Sequence, residues 1–437
     1  MRTLTGLLAV AALGAAIAGT AAGQTVAMRP EERAELVRLQ SAKPDVRRDA
    51  AEKLGDLRST GAAPELVKSA TGDPDASVRS AAILALGEIG DRSLVDQMAP
   101  VLKDSNEKVR GAAVEALVNV YLDQEKGFFS SVKHVAVVAT PFWDEHQTAT
   151  VEPYDPVSPA ATSGIAELLK TDASHDNRVA AVRALGALRA NDQIDGLADA
   201  MGSDPKLRSE VLNAFVLIGD PAAARYAIPL FESDNGDVAA EAMYTAGRLR
   251  ANDAVTPLLT VYGSGGPKTG VVGAVKNPFP PNRRKAALQS LALIGAPAGH
   301  QAFLDNVYNK DTDWRRAAFE GIAREDDPQL LNLVSRSAQT EKNDSVRLAQ
   351  TFALYMMGRP GMMSVIVQAV SNRSQRDQAA QYIREAKTAL DILPFIRTPD
   401  PDAQVIVVDA LGNLGDQGTA DALRPLVRGA SPELALA

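Results

Sequence analysis

One phrase recurs about every 31 residues along this chain, and that period constrains the fold more than any other feature. Its clearest copy spans residues 73–90, Asp-Pro-Asp-Ala-Ser-Val-Arg-Ser-Ala-Ala-Ile-Leu-Ala-Leu-Gly-Glu-Ile-Gly. The arginine of the phrase serves as an anchor, at Arg47, Arg79, Arg110, Arg178, Arg208, Arg284, Arg315, Arg347 and Arg376. Ala239 and Gln404 hold the same slot in two divergent copies. Seven residues past each anchor stands an apolar residue: Leu54, Leu86, Leu117, Leu185, Phe215, Ala246, Leu291, Ile322, Leu354, Ile383 and Leu411. A bare run of Ala and Leu would not keep that phase. The stretch from Leu188 to Asp192 is also echoed, residue for residue, from Leu249 to Asp253, two periods later.

Each copy reads as two helices. The first is short and carries Leu, Val and Ile in pairs, as from Leu94 to Leu102. A turn such as Asp73-Pro74-Asp75 or Asp104-Ser105-Asn106 then ends it and caps the next helix. The second helix places Val78, Ala82, Ala85 and Ile89 four, three and four residues apart, a helical period and not a strand alternation. Gly90-Asp91, Gly219-Asp220 and Gly415-Asp416 mark its end, because glycine tolerates the left-handed conformation that stops a helix. One such pair cannot bury its apolar stripe alone, whereas stacked pairs bury a continuous core. The pattern therefore predicts an all-α chain, a solenoid of about eleven stacked antiparallel helix pairs with two non-helical insertions.

The Asp-Pro-Asp turn, followed by Val-Arg, Ala-Ala and Ala-Leu-Gly-x-Ile-Gly, resembles the HEAT repeat, in its short form of the phycobilisome-lyase type. The resemblance covers residues 30–437 apart from the insertions. It implies a superhelix in which an aspartate six residues before each arginine forms a ladder with it along the stack. Asp73 and Arg79, Asp104 and Arg110, and Asp172 and Arg178 match that spacing. Gly202 before Arg208 and Asn309 before Arg315 depart from it, so Arg208, Arg284 and Arg315 are expected to find other acceptors. For function the resemblance is broad, since the repeat serves scaffolds, adaptors, lyases and a metal-dependent hydroxylase alike.

Residues 1–23 read as a secretory signal peptide: Arg2, an apolar run to Ala18, then small residues suited to cleavage near Ala22 or Gly23. No cysteine follows to carry a lipid anchor, and no other stretch is long and apolar enough to span a bilayer. The expected address is periplasmic or secreted, with no membrane span after cleavage. The absence of cysteine also removes thiol catalysis and thiolate metal sites. With 46 basic against 54 acidic residues, the chain lacks the basic footprint of a nucleic-acid binder.

Repeats then fill residues 29–122 and 161–437, separated by an insertion at 123–160. That insertion holds Phe128, Phe129, Phe142 and Trp143 in a chain only 5% aromatic, and its β-branched residues favour a hairpin or an ordered loop. It is expected to pack against the third and fourth pairs. A second insertion at 263–281 is rich in Gly and Pro and reads as a loop; Pro267 breaks its superficial likeness to a phosphate loop.

No catalytic constellation emerges. The hydroxylases built on this repeat carry His-Glu pairs, whereas the four histidines here precede Val135, Gln147, Asp176 and Gln301. No nucleophile elbow or zincin motif occurs, and no cofactor or metal site is read. The face of the second helices is expected to line the concave side. Five residues past the anchors stand Glu52, Glu115, Arg183, Asn213 and Tyr244, and nine past Arg79 stands Glu88. These vary within a constant frame, as suits recognition of an extended partner. Later copies turn apolar there, with Phe352, Tyr355 and Met356, which reads mainly as core filling. The function expected is an exported, non-catalytic scaffold binding a protein or peptide on its concave face. The alternatives are an enzyme or metal-binding protein with its site at the first insertion, and an accessory module of an envelope complex or surface polymer.

Overall fold

The computed structural model describes residues 28–122, 150–152, 155–263, 281–414 and 419, and within them every regular element is helical. The helices follow one another in pairs. In the first three copies these are α1 (Pro30–Arg38) with α2 (Pro44–Asp56), α3 (Ala63–Gly72) with α4 (Ala76–Ile89), and α5 (Val95–Met98) with α6 (Glu107–Asn119). Copies four to seven are α7 (Pro159–Thr171) with α8 (His175–Ala187), α9 (Ile194–Ser203) with α10 (Arg208–Ile218), α11 (Ala224–Ala227) with α12 (Gly236–Arg248), and α13 (Val255–Tyr262) with α14 (Pro281–Ile294). The last four are α15 (His300–Leu304) with α16 (Thr312–Glu325), α17 (Leu331–Ala338) with α18 (Asp344–Met356), α19 (Met363–Ala369) with α20 (Arg376–Arg384), and α21 (Ala389–Ile392) with α22 (Pro401–Leu414). All eleven anchors fall on the second helix of a pair. The architecture is the all-helical, HEAT-like solenoid that the period predicts.

The turn chemistry explains the helix starts. Asp75 and Asn106 cap α4 and α6 by accepting the N–H groups of Ser77 and Lys108. The first helices are weaker: Pro100 and Pro229 interrupt them, so α5 and α11 are single turns that continue as 3-10 helix. The helix ends follow one rule. Eleven residues past eight of the anchor slots the backbone turns left-handed, at Arg58, Gly90, Arg189, Gly219, Arg250, Gly295, Asp326 and Gly358. Glycine takes that conformation without strain, while an arginine or aspartate carries a cost of about 1 kcal/mol. Gly415, the corresponding residue of the last copy, lies outside the described residues.

Second helix packs on second helix along each stack, and glycine sets the distance. A Cβ on Gly87 would lie 2.7 Å from the Cα of Ala116, and one on Gly186 would lie 3.0 Å from the Cα of Ala214. Gly247 meets Ser290 in the same way, at 2.9 Å. Each is eight residues past an anchor slot and faces the residue six past the next one. The apolar residue seven past the anchor is buried in ten of the eleven copies. Leu354 is the departure, being only half-buried. In that copy Phe352 and Tyr355 are buried instead, because α18 is covered on its second-helix face as well.

The chain divides into two compact units. Among described residues, the first runs from Met28 through Ala184 and the second from Leu185 onward, with the boundary inside α8. The expected signal peptide, most of the 123–160 insertion, including Phe128, Phe129, Phe142 and Trp143, and residues 264–280 of the second insertion lie outside the described residues. Among described helices none is long and apolar enough to cross a membrane.

Candidate functional site

Three rungs of an arginine–aspartate ladder run through the first unit. Arg47 donates Nε and Nη2 to the carboxylate of Asp73, both at 2.7 Å. Arg79 does the same to Asp104 at 2.6 and 2.9 Å, and Arg110 to Asp172 at 2.6 and 2.8 Å. Each arginine thus grips the aspartate of the following copy, not the one six residues before itself. Its Nη1 turns back to its own copy: Arg79 reaches the carbonyl of Asp73 at 2.8 Å, Arg110 that of Asp104 at 2.9 Å, and Arg178 that of Asp172 at 2.9 Å. The aspartate also accepts an amide two residues on, as Asp104 does from Asn106 at 2.8 Å. One side chain therefore fastens a turn and two copies. The Arg110 guanidinium, with the amides of Ser174 and Asn177, outweighs burial and lowers the Asp172 carboxyl to about 2.

The second unit keeps the slot and varies its chemistry. Arg315 pairs with Glu341 at 2.9 and 3.0 Å, and Glu341 stands six residues before Arg347, where the first unit has aspartate. Arg284 instead donates to the Tyr262 carbonyl at 3.0 Å and lies over the rings of Tyr262 and Trp314. Where Ala239 replaces the anchor, Arg283 of the following copy reaches the carbonyl of Ser233, six residues before that slot, at 2.8 Å. Neither substitution follows from the repeat pattern, because each acceptor is a backbone carbonyl supplied by packing.

The candidate recognition residues occupy partly exposed positions. Glu52 is exposed, and Glu88, Glu115, Arg183, Asn213 and Tyr244 are half-buried. Glu52, Asp56, Glu88 and Glu115 come together on the second helices of copies one to three. Burial, then Asp56, Glu115 and Glu52, push the Glu88 carboxyl up, with Arg58 as the opposing charge. Glu88 lies against bare backbone: a Cβ on Gly55 would be 2.1 Å from its Oε2. Glu88 and Arg58, with Arg92, Asn119 and Tyr121, line a shallow depression of about 340 Å3.

The end of the first insertion is described and is fixed beside that depression. Asp155 takes two hydrogen bonds from Arg92, at 2.5 and 2.6 Å, and the Ser158 amide donates to the Tyr121 hydroxyl at 2.9 Å. Arg92 lies over the Tyr121 ring at 5.0 Å, and Val151 is buried.

In the second unit the same helix face is occupied by the chain itself. Arg324 donates to the Ala292 carbonyl at 3.0 Å and to both oxygens of Glu385, at 2.9 and 2.7 Å. It lies over Phe352, whose ring stacks on Tyr382 at 4.1 Å with 6° between the planes. The Tyr382 hydroxyl donates to Glu320 at 2.6 Å. Of the apolar residues of the later copies Phe352 and Tyr355 are core here, 0% and 2% exposed, while Met356 is half-buried. Arg324 and Glu385 each stand nine residues past an anchor, Arg315 and Arg376, with opposite charges; their meeting, two copies apart, depends on curvature, which no spacing reveals. Among the described residues no group of three or more His, Asp or Glu side chains is placed to hold a metal ion.

A repeat array built on second helices, with capped turns and an arginine ladder, is the architecture of a helical repeat protein. Residues 34–121 match the family model of HEAT repeats. No curated protein matches the sequence. Among solved structures, the crystal structure of an engineered protein, determined by the Northeast Structural Genomics Consortium, is similar over 89% of this chain and 100% of its own, with 16% identity and a TM-score of 0.41.

Proposed function

We propose that this protein is an exported, non-catalytic scaffold that binds a protein or peptide partner on the second-helix face of its first unit, and that the bound segment is basic. HEAT repeats as a class mediate protein interactions, which supports the scaffold reading. The observation that carries the choice of face is the grouping of Glu52, Asp56 and Glu115 around Glu88, close enough to oppose the ionisation of Glu88. An excess of one sign on a stacked face favours a partner of the other sign and speeds its encounter. The corresponding face of the second unit is filled by Arg324, Glu385, Phe352 and Tyr382 and leaves less room for a partner. Export rests on the Arg2-led apolar N-terminus.

The test is capture from an envelope extract with immobilised protein, comparing wild type with the Glu52→Gln, Glu88→Gln, Glu115→Gln triple variant. The reading requires a basic partner that wild type retains, that the triple variant loses, and that salt releases. Equal capture by both proteins would remove the acidic face from the mechanism. N-terminal sequencing of the protein from cell fractions tests export, which an intact Met1 on cytoplasmic material would overturn.

A further inference from the structure

The turn after α20 touches three copies at once. Glu385, which follows the last residue of α20, accepts from Arg324 of copy eight and from Nη2 of Arg250 of copy six, the latter at 3.1 Å. Two residues on, the Lys387 ammonium donates to Asp326 at 2.6 Å and to the Met356 carbonyl, while the Lys387 amide donates to the Tyr355 hydroxyl at 2.6 Å. Arg250 and Glu385 are 135 residues apart in sequence. Repeats in a stacked array ordinarily touch only their neighbours. Contacts that skip copies arise on the inside of a bend, where alternate copies come face to face.

We propose that the Glu385–Lys387 turn is an ionic clasp that sets the curvature of the second unit by joining copies six, eight and ten. The clasp has one fixed jaw and one that can open. Arg324 is the fixed jaw, with a side chain only 5% exposed, tied to the Ala292 carbonyl and covered by Phe352. Arg250 is the movable jaw, 62% exposed. It also occupies the left-handed slot that glycine fills in four other copies, at φ 49°. A side chain there works against its own backbone preference, as it does at Arg58 and Arg189 in the same slot, and at Arg250 it makes a contact that glycine could not, the bond to Glu385. Lys387 and Asp326, at 37% and 42% exposed, are open to solvent ions as well. Salt screens exposed pairs far more than buried ones. The clasp therefore loosens at its Arg250 and Lys387 ends while Arg324 still holds Glu385.

The chain has no cysteine, which makes a distance test direct. Spin labels on Asp253→Cys and Thr388→Cys, both exposed positions, report the separation of copies six and ten by double electron–electron resonance. One narrow distance distribution is expected for the otherwise wild-type protein in low salt. Arg250→Gln should lengthen or broaden it with helicity unchanged, and Arg250→Lys should restore much of the narrow form. Raising salt to about 1 M should move the wild-type distribution toward that of Arg250→Gln and change the variant little. Superimposable distributions for wild type and Arg250→Gln at every salt concentration would overturn the clasp. If Arg250→Gln lost its helical signal, the wild-type salt titration would decide alone, and an unchanged distribution there would overturn the proposal.

Discussion

Arg110 grips Asp172 through two parallel hydrogen bonds across 62 residues of chain. The 123–160 insertion lies between them in sequence, yet the rung matches those at Arg47 and Arg79, where no insertion intervenes. The stack treats inserted chain as an excursion and resumes its register on the far side. Asp172 is the most enclosed of the three ladder carboxylates, its side chain 1% exposed. Arg110→Ala leaves that carboxylate with only the Ser174 amide and Asn177. Removing one partner of a buried ion pair costs about 3 kcal/mol or more. Thermal unfolding should show that loss, with Arg110→Lys intermediate because an ammonium cannot make the parallel pair. An unchanged melting curve would reduce the rung to a solvated contact.

The same rung has a pH signature. The folded Asp172 carboxyl stands at about 2, below its ordinary 3.8. A depressed carboxyl stabilises the fold above its unfolded value, and that contribution fades as pH falls through the folded one. The difference is on the order of 2 kcal/mol. Wild type should therefore exceed Asp172→Asn in stability at neutral pH, and the gap should narrow between about pH 4 and pH 2. Denaturant titrations at a series of pH values measure it. A gap that does not change with pH would show that the carboxyl is not linked to folding.

The fold was legible because the period, the Asp-Pro-Asp turn and the residue seven past the anchor each act locally. Turn chemistry and helical phase are written in adjacent residues, and all eleven copies pair their helices as that phase requires. The direction of the ladder was less legible: the family resemblance put Asp73 with Arg79, whereas the Asp73 carboxylate belongs to Arg47, because a six-residue separation brings the arginine to the aspartate's carbonyl and not to its carboxylate. The repeat frame alone puts Glu52, Glu88 and Glu115 on the second helices of the first three copies. The union of Arg250, Arg324 and Glu385 does not follow from that frame, since it depends on how sharply the second unit bends. That bend sums small rotations over several copies, and no single stretch of sequence encodes it.

Two glycines to alanine should act in opposite directions. At Gly87 an added Cβ would lie 2.7 Å from the Cα of Ala116, a backbone atom that cannot give way without separating α4 from α6. Overpacking of that kind costs about 1–3 kcal/mol. Gly72, the last residue of α3, has nothing within 4 Å of the same added atom. There alanine reduces the freedom of the unfolded chain and should add about 0.5 kcal/mol. Melting temperatures of the two variants, measured side by side, check both signs. A neutral Gly87→Ala would mean that the helices have slack at this contact.

Glu88 connects stability with the proposed partner. Burial and three neighbouring carboxylates raise its carboxyl above 4.5, so ionisation works against the fold. A raised carboxyl favours folding below its unfolded value, and that advantage is lost as pH rises through the folded one. Glu88→Gln keeps the shape and removes the charge. It should therefore stabilise the protein at neutral pH, by about 0.5 kcal/mol for a site that solvent partly reaches. The gain over wild type should disappear as the solution is acidified through the raised value. If the acidic face receives a basic segment, the same variant must bind it less well, since the repulsion that costs stability in the free protein is what the partner relieves. Denaturation and capture measured on one preparation separate the cases. Greater stability with weaker capture supports recognition through this face. Greater stability with unchanged capture leaves Glu88 as a strained structural residue and moves the partner elsewhere. A loss of stability at neutral pH would show that Arg58, and not the carboxylates, governs the charge at Glu88.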